Sequence, residues 1–236
     1  MRTVAARGRM IVNTIYDPSC VLYMSGIPGR GSTIQDESIY NNHGTIYGAT
    51  WTRLSSGLWV LSFDGVDDYI DCGTNNILNP GTGDFTVEFW AKANHPITDW
   101  ATIIRKSNGD YSSLTEGWNL DVRHDNFVAF AHIAFANYVV WAGQQAYFRD
   151  NIWHQWALVG NRTAGTLALL RDVTTIGTHN PPNFSNNITS TQSLQIGQGG
   201  SNYYQDNIGL VRIYNRVLTA TEILTHYNQE RQLFGV

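Results

Sequence analysis

The sequence predicts an all-β fold, a two-sheet antiparallel jelly-roll sandwich with one short C-terminal helix. Three observations lead there. Short runs of β-branched and aromatic residues recur between turn signals along the 236 residues. Charged residues make up only 14% of the chain, with 22 Gly, 12 Tyr and 8 Trp, whereas a soluble domain usually carries about 25% charge. Helical periodicity is convincing only near the end, where Thr219 and Glu222 have capping-box spacing before Ile223, Leu224 and Tyr227.

The elements follow in order. Residues 1–15 read as an N-terminal arm and 16–236 as a single domain. The arm holds the one basic cluster, Arg2, Arg7 and Arg9, which reads as a solvated arm or as an assembly arm docking on a neighbouring subunit. Val21 to Met24 is a first strand, and Thr45 to Tyr47 a brief one after His43-Gly44. Leu58 to Phe63 ends at the turn Asp64-Gly65, and Tyr69 to Cys72 follows. The segment 85–92 alternates most cleanly: Phe85, Val87, Phe89 and Ala91 share one face, Thr86, Glu88 and Lys92 the other. Trp90 falls on the polar face, so that face is expected to be covered. Ala101 to Arg105, Trp118 to Val122 and Phe127 to Ile133 are further strands, the last two joined by a hairpin turn at His124 to Asn126. Trp153 to Val159 pairs with Thr166 to Leu170, and Leu194 to Ile196 and Ile208 to Tyr214 complete the series. The helix is expected to end near Arg231.

Charge and motif content exclude several functions. A net charge of −4 gives no broad attraction to nucleic acid. No apolar run approaches the roughly 20 residues needed to span a bilayer, so no membrane insertion is expected, and no cleavable signal peptide is evident. Cys20 and Cys72 read as two buried thiols or as one pair. The seven histidines lack zinc spacing, and Gly197 to Gly200 lacks the Lys and helix of a phosphate loop.

Five segments then carry a resemblance. LSFDGVDDYIDCG (61–73), FTVEFWAKA (85–93), WHQWALVGNRTAGTLALLRD (153–172) and IGLVRIYNRVLTATEILTHYN (208–228) resemble the laminin-G-like, concanavalin A-like lectin/glucanase superfamily. DESIYNNHGTIYGATW (36–51) is similar to the loop and strand that open such domains. The resemblance implies two curved sheets of six or seven strands, with loops gathered at one rim. Two departures stand out. Relatives often carry an acidic pair where this chain has Gly209-Leu210, and a glycine turn where it has Arg171-Asp172-Val173. The second predicts a longer loop from Asp172 to Pro182.

Glycoside hydrolysis needs two carboxylates about 5–9.5 Å apart. The nearest candidates, Asp84 with Glu88 and Asp121 with Asp125, do not form such a pattern, so a hydrolase is the remotest reading. The acidic segment from Asp64 to Asp71, with Asp64, Asp67 and Asp68, invites calcium, which takes six to eight oxygens; the alternative is that Asp64-Gly65 makes a turn while Asp67 and Asp68 bond neighbouring backbone. Loops rich in Tyr, Trp, Asn and Asp suit sugars, giving Tyr111, Tyr138, Trp141, Asn202, Tyr203, Tyr204 and Asp206 as carbohydrate-binding candidates.

The expected function is therefore non-enzymatic surface binding or assembly. One reading is a decoration or tail component of a phage or virus particle, whose partners are sister subunits or other particle proteins. The other is a calcium-assisted module that binds cell-surface glycans. Either places the chain on a virion or an extracellular surface.

Overall fold

Alternation fixes which side of each strand is buried, and register fixes which strands share a row. The computed structural model describes residues 17–28, 31–95, 100–109, 114–125, 128–132, 139–141 and 148–236, without the side chains of 129–132 and 139–141. Within these, the first strands are Cys20–Met24 (β1), Thr33–Ile34 (β2), Gly44–Tyr47 (β3), Thr50–Arg53 (β4), Trp59–Asp64 (β5) and Tyr69–Asp71 (β6). Phe85–Lys92 (β7), Trp100–Ser107 (β8), Gly117–Arg123 (β9), Val128–His132 (β10) and Val139–Trp141 (β11) follow. The rest are His154–Asn161 (β12), Thr166–Arg171 (β13), Thr174–His179 (β14), Gln195–Ile196 (β15), Gln198–Gly199 (β16), Asn202–Tyr203 (β17) and Gln205–Tyr214 (β18), before helix α1, Ala220–Phe234.

Two eight-stranded antiparallel sheets result. The first runs β14-β13-β12-β7-β18-β5-β4, with β1 also on β18; the second runs β11-β10-β9-β8-β15-β6-β3-β2. Each exceeds the expected count because the short strands β2, β4, β11 and β14 extend the edges. The main core lies between the sheets. Phe85, Val87, Phe89 and Ala91 of β7 enter it together with Trp118, Leu120 and Val122 of β9.

The covered polar face of β7 is explained by α1. Trp90 is fully buried and stacks on Phe234 with ring centroids 4.2 Å apart. Beneath the helix Glu230 accepts from Trp90 Nε1 at 2.7 Å and from Arg212, which also bonds the Tyr23 hydroxyl at 3.1 Å. Glu88, in register with Arg212, meets His226 Nδ1 at 2.8 Å. The expected capping box is present at Thr219 and Glu222. The helix runs three residues past Arg231, because Phe234 packs on Trp90 and Gly235 supplies the left-handed C-cap at φ 77°. At the departure Gly209-Leu210, β18 bulges and Leu210 adopts φ 42°. Leu210 joins Trp90, Trp153 and Phe234 in a small apolar cluster, so an acidic pair is replaced by a seat for the helix.

The long loop expected from Asp172 is instead a tight hairpin. Arg171 pairs with Thr174, and Asp172 and Val173 both have positive φ, 48° and 64°, as a type I′ turn requires. Asp172 tolerates this because its carboxylate accepts from Gln155 N at 3.0 Å and bonds His154 Nδ1, while His154 Nε2 meets Asp150 at 2.8 Å. Burial alone would lower the His154 pKa; Asp172 and then Asp150 outweigh it and hold the pKa above its usual value. A raised pKa contributes stability that is complete below the unfolded value, about 6.5, and is lost as pH rises through the folded one. Urea midpoints measured against pH are expected to fall across that window, and His154→Gln is expected to flatten the fall.

Cys20 and Cys72 are both free and buried. Burial pushes the Cys20 thiol up to about 12 and raises Cys72 as well.

Candidate functional site

The site is built by register in the second sheet. Ile46, Ile70, Ile196, Ile104 and Leu120 stand opposite one another across β3, β6, β15, β8 and β9. All five are buried in the core. Because successive side chains point to opposite faces, the adjacent row lies on the outer face: Thr45, Asp71, Gln195, Arg105 and Asn119. Tyr47 and Tyr69 form the next outer pair, with rings stacked at 4.5 Å and 10°.

This row presents donors and acceptors in alternation. Asp71 Oδ1 accepts from Gly73 N at 2.8 Å, and Oδ2 has no partner among the described residues. Arg105 donates Nε and Nη2 to Gln195 Oε1 at 2.9 and 2.6 Å, leaving its Nη1 and the Gln195 amide group to donate elsewhere. Asn119 is tied to Ser107, and Thr102 donates to Asp121 at 2.7 Å.

The hairpin β16–β17 lies against β8 over this face. A Cβ on Gly199 would sit 1.9 Å from Thr102 Oγ1, so only glycine permits the approach. The hairpin carries Tyr203, whose hydroxyl accepts from Gln198 at 3.0 Å. Burial raises the Tyr69 hydroxyl pKa, and Tyr47, Asp71 and Tyr203 add to the rise. Burial likewise lowers the Arg105 pKa, opposed by Asp121 and Tyr203. Tyr203 thus stands within electrostatic reach of both the stacked tyrosines and the guanidinium.

The acidic turn is next to this hairpin. Asp64 pairs with Gln205 across β5 and β18, and a Cβ at Gly197 would lie 3.3 Å from Asp68 O. The carboxylates of Asp64, Asp67 and Asp68 gather with ligand atoms within 4.8 Å of one another. Asp64 Oδ1 accepts from Val66 N and Asp67 N, and Asp68 Oδ2 from Asp64 N. These bonds match the backbone-bonding alternative for Asp68, whereas the second accepting carboxylate is that of Asp64 rather than Asp67. The carboxylate oxygens left over suit a hard cation such as calcium but supply only part of its six to eight ligands. Burial raises the Asp68 pKa; the Asp64 N–H it accepts opposes this, and Asp64 and Asp67 add to it.

Other sequence candidates fall elsewhere. Tyr204 is 1% exposed and packs edge-on against Phe63 and Phe148. It is a core residue rather than a sugar platform, because just before β18 its ring enters the main core. Asp206 accepts from the backbone N–H groups of Asn94 and His95 at 2.7 and 2.9 Å and bonds the His95 ring at 2.5 Å, so it fastens a loop. Asn202 and Tyr203 are half-buried in the hairpin. Tyr111, Tyr138, Arg2, Arg7 and Arg9 lie outside the described residues, as does the side chain of Trp141. The suspected hydrolytic carboxylates are engaged structurally: Asp84 accepts from Arg162 N and Thr163 N, Glu88 lies under the helix, and Asp125 pairs with Arg123.

Sequence reasoning missed Thr45, Tyr47, Tyr69, Asp71, Arg105 and Gln195. The available signal was the polar face of each short strand, such as Thr45 and Tyr47 flanking Ile46.

Comparison with known proteins follows the fold. A family model described as the concanavalin A-like lectin/glucanases superfamily matches residues 64–224. No curated protein sequence matches the chain. Among solved structures, the binding domain of Paraclostridial Mosquitocidal Protein 1 superposes with a TM-score of 0.70 at 14% identity, covering 89% of this chain and 52% of that one. The botulinum neurotoxin serotype D binding domain gives 0.67 at 16% identity, covering 90% and 51%. The receptor binding domain of the botulinum neurotoxin C/D mosaic serotype gives 0.67 at 15%, covering 89% and 51%. The chain spans about half the length of these structures, and at such identity the likeness is one of fold.

Proposed function

As the chain belongs to the concanavalin A-like lectin/glucanase superfamily, we propose that it is a non-enzymatic module that binds glycan on an extracellular or particle surface, through the outer face of its second sheet. The observation that carries this reading is the cross-strand row Thr45–Asp71–Gln195–Arg105 beside stacked Tyr47 and Tyr69. A sugar presents an apolar C–H face and a rim of hydroxyls. The tyrosine rings suit the first; the carboxylate acceptor and the amide and guanidinium donors suit the second. The structural neighbours are toxin binding domains, in keeping with this reading.

Hydrolysis by the acidic residues of this outer face is disfavoured by spacing. Asp71 and Asp121 stand three strands apart in the second sheet, about 14 Å at 4.8 Å per strand. That exceeds the roughly 5–9.5 Å that either glycosidase mechanism requires. The particle-assembly reading would dock an arm bearing Arg2, Arg7 and Arg9 on a neighbouring subunit, and those residues lie outside the described ones.

Glycan-array screening followed by calorimetry tests the proposal. The wild type is expected to bind a subset of glycans, and Asp71→Asn and Tyr69→Ala are each expected to weaken binding about ten-fold or more, in line with a lost charge-assisted bond or stacking ring. Titrations with and without calcium read whether Asp64, Asp67 and Asp68 assist. Absence of any glycan ligand, or unchanged affinity in both variants, would sink the reading.

A further inference from the structure

A cavity that shares no lining residue with this row lies against the first sheet. It measures about 260 Å³ and opens where the end of β1, the β4–β5 hairpin and the end of α1 meet. We propose that it binds a single carboxylate-bearing sugar ring, a uronic acid residue. The volume falls just below the roughly 300–1,000 Å³ of drug-sized pockets, which leaves room for one ring. Ile27, Leu58, Trp59 and Leu233 supply apolar walls for its C–H face.

Ser25 and Arg53 are polar side chains in its lining. The Ser25 hydroxyl is buried without any hydrogen-bond partner, and a turn about its one side-chain torsion would bring it to a ligand hydroxyl. Arg53 donates Nε to Gly57 O at 3.4 Å, and its two terminal nitrogens have no partner among the described residues. The guanidinium carbon stands 5.8 Å from the Trp59 ring centroid, which orients the fork. Such a fork matches a carboxylate through two parallel bonds. The cavity is also built into the backbone. Gly26 has φ 74°, and a Cβ there would lie 2.3 Å from Trp59 O. Ser56 donates to Leu233 O at 2.5 Å, fastening the hairpin to the helix end.

Glucuronate and glucose share a ring and differ at one carboxylate, so titrating each into the whole chain by saturation-transfer NMR tests the proposal, with acetate as the bare anion. Glucuronate is expected to bind about ten-fold or more tightly than either, the usual scale of a charge-assisted pair. Arg53→Gln is expected to remove that preference, and Arg53→Lys to restore only part of it because lysine lacks the fork. Arg53 is exposed, so neither change threatens folding. Asp71→Asn, in the second sheet, is expected to leave glucuronate binding intact. Equal binding of glucose or acetate, an unaltered preference in Arg53→Gln, or loss of glucuronate binding in Asp71→Asn would each overturn the assignment.

Discussion

Glu230→Ala is expected to destabilise the protein by about 3–5 kcal/mol, the usual cost of leaving one member of a buried ion pair alone. Glu230 is fully buried, and its carboxylate serves both Arg212 and the Trp90 indole N–H. Removing it deprives a guanidinium that is itself 5% exposed of its ion-pair partner, leaving the Tyr23 hydroxyl and ring beside it and Glu88 opposite it on β7. Burial opposes the Arg212 charge, and the adjacent Glu230 carboxylate outweighs that opposition, keeping its pKa well above the ordinary arginine value. The double variant Arg212→Met/Glu230→Leu is expected to recover most of the loss, because replacing both partners removes the isolated charge. A remainder of about 1–3 kcal/mol should persist from the unpartnered Trp90 N–H. Urea denaturation of the wild type, Arg212→Met, Glu230→Leu and the double variant closes a cycle that measures the coupling. Additive single-variant losses would show that the pair contributes no specific interaction.

Gly199→Ala is expected to uncouple binding from folding. The new methyl would fall 1.9 Å from Thr102 Oγ1 and 2.7 Å from its Cβ, an overlap that requires the β16–β17 hairpin to lift from β8. Lifting it carries Tyr203 away from Tyr69 and Arg105. Glycan affinity should fall about ten-fold or more with the loss of an aromatic contact, while stability falls by only about 1–3 kcal/mol, as for other overpacking changes. Gly200→Ala is the control. It shares the hairpin and has φ 65°, but open space surrounds its Cβ position, so it carries the backbone penalty without the lift. Wild-type affinity in Gly199→Ala would mean that the hairpin does not shape the binding face.

Much of the architecture was legible in the residues. The alternation of Phe85, Val87, Phe89 and Ala91 placed β7 and its buried face, and Thr219 with Glu222 placed the helix start. Trp90, out of step with that alternation, signalled that something covers the outer face; that it is α1, packing through Phe234, emerged only in three dimensions. The Asp172-Val173 turn was misread because a tight hairpin normally calls for glycine or asparagine. Here His154 and Gln155, distant from the turn in sequence, hold Asp172 in the left-handed region.

The sequence by itself determined the strand faces and the helix cap, since these depend on residues one to four positions apart, and the superfamily, through five segments in their order along the chain. Only the tertiary structure decided the face proposed to bind glycan. Thr45, Asp71, Gln195 and Arg105 come from four stretches of the chain. They share a row because Ile46, Ile70, Ile196 and Ile104 must all be buried in the adjacent one. A slip of one residue in any of these strands would turn its isoleucine to solvent and its polar neighbour inward. Burial of the core therefore sets the register, and the register assembles the site.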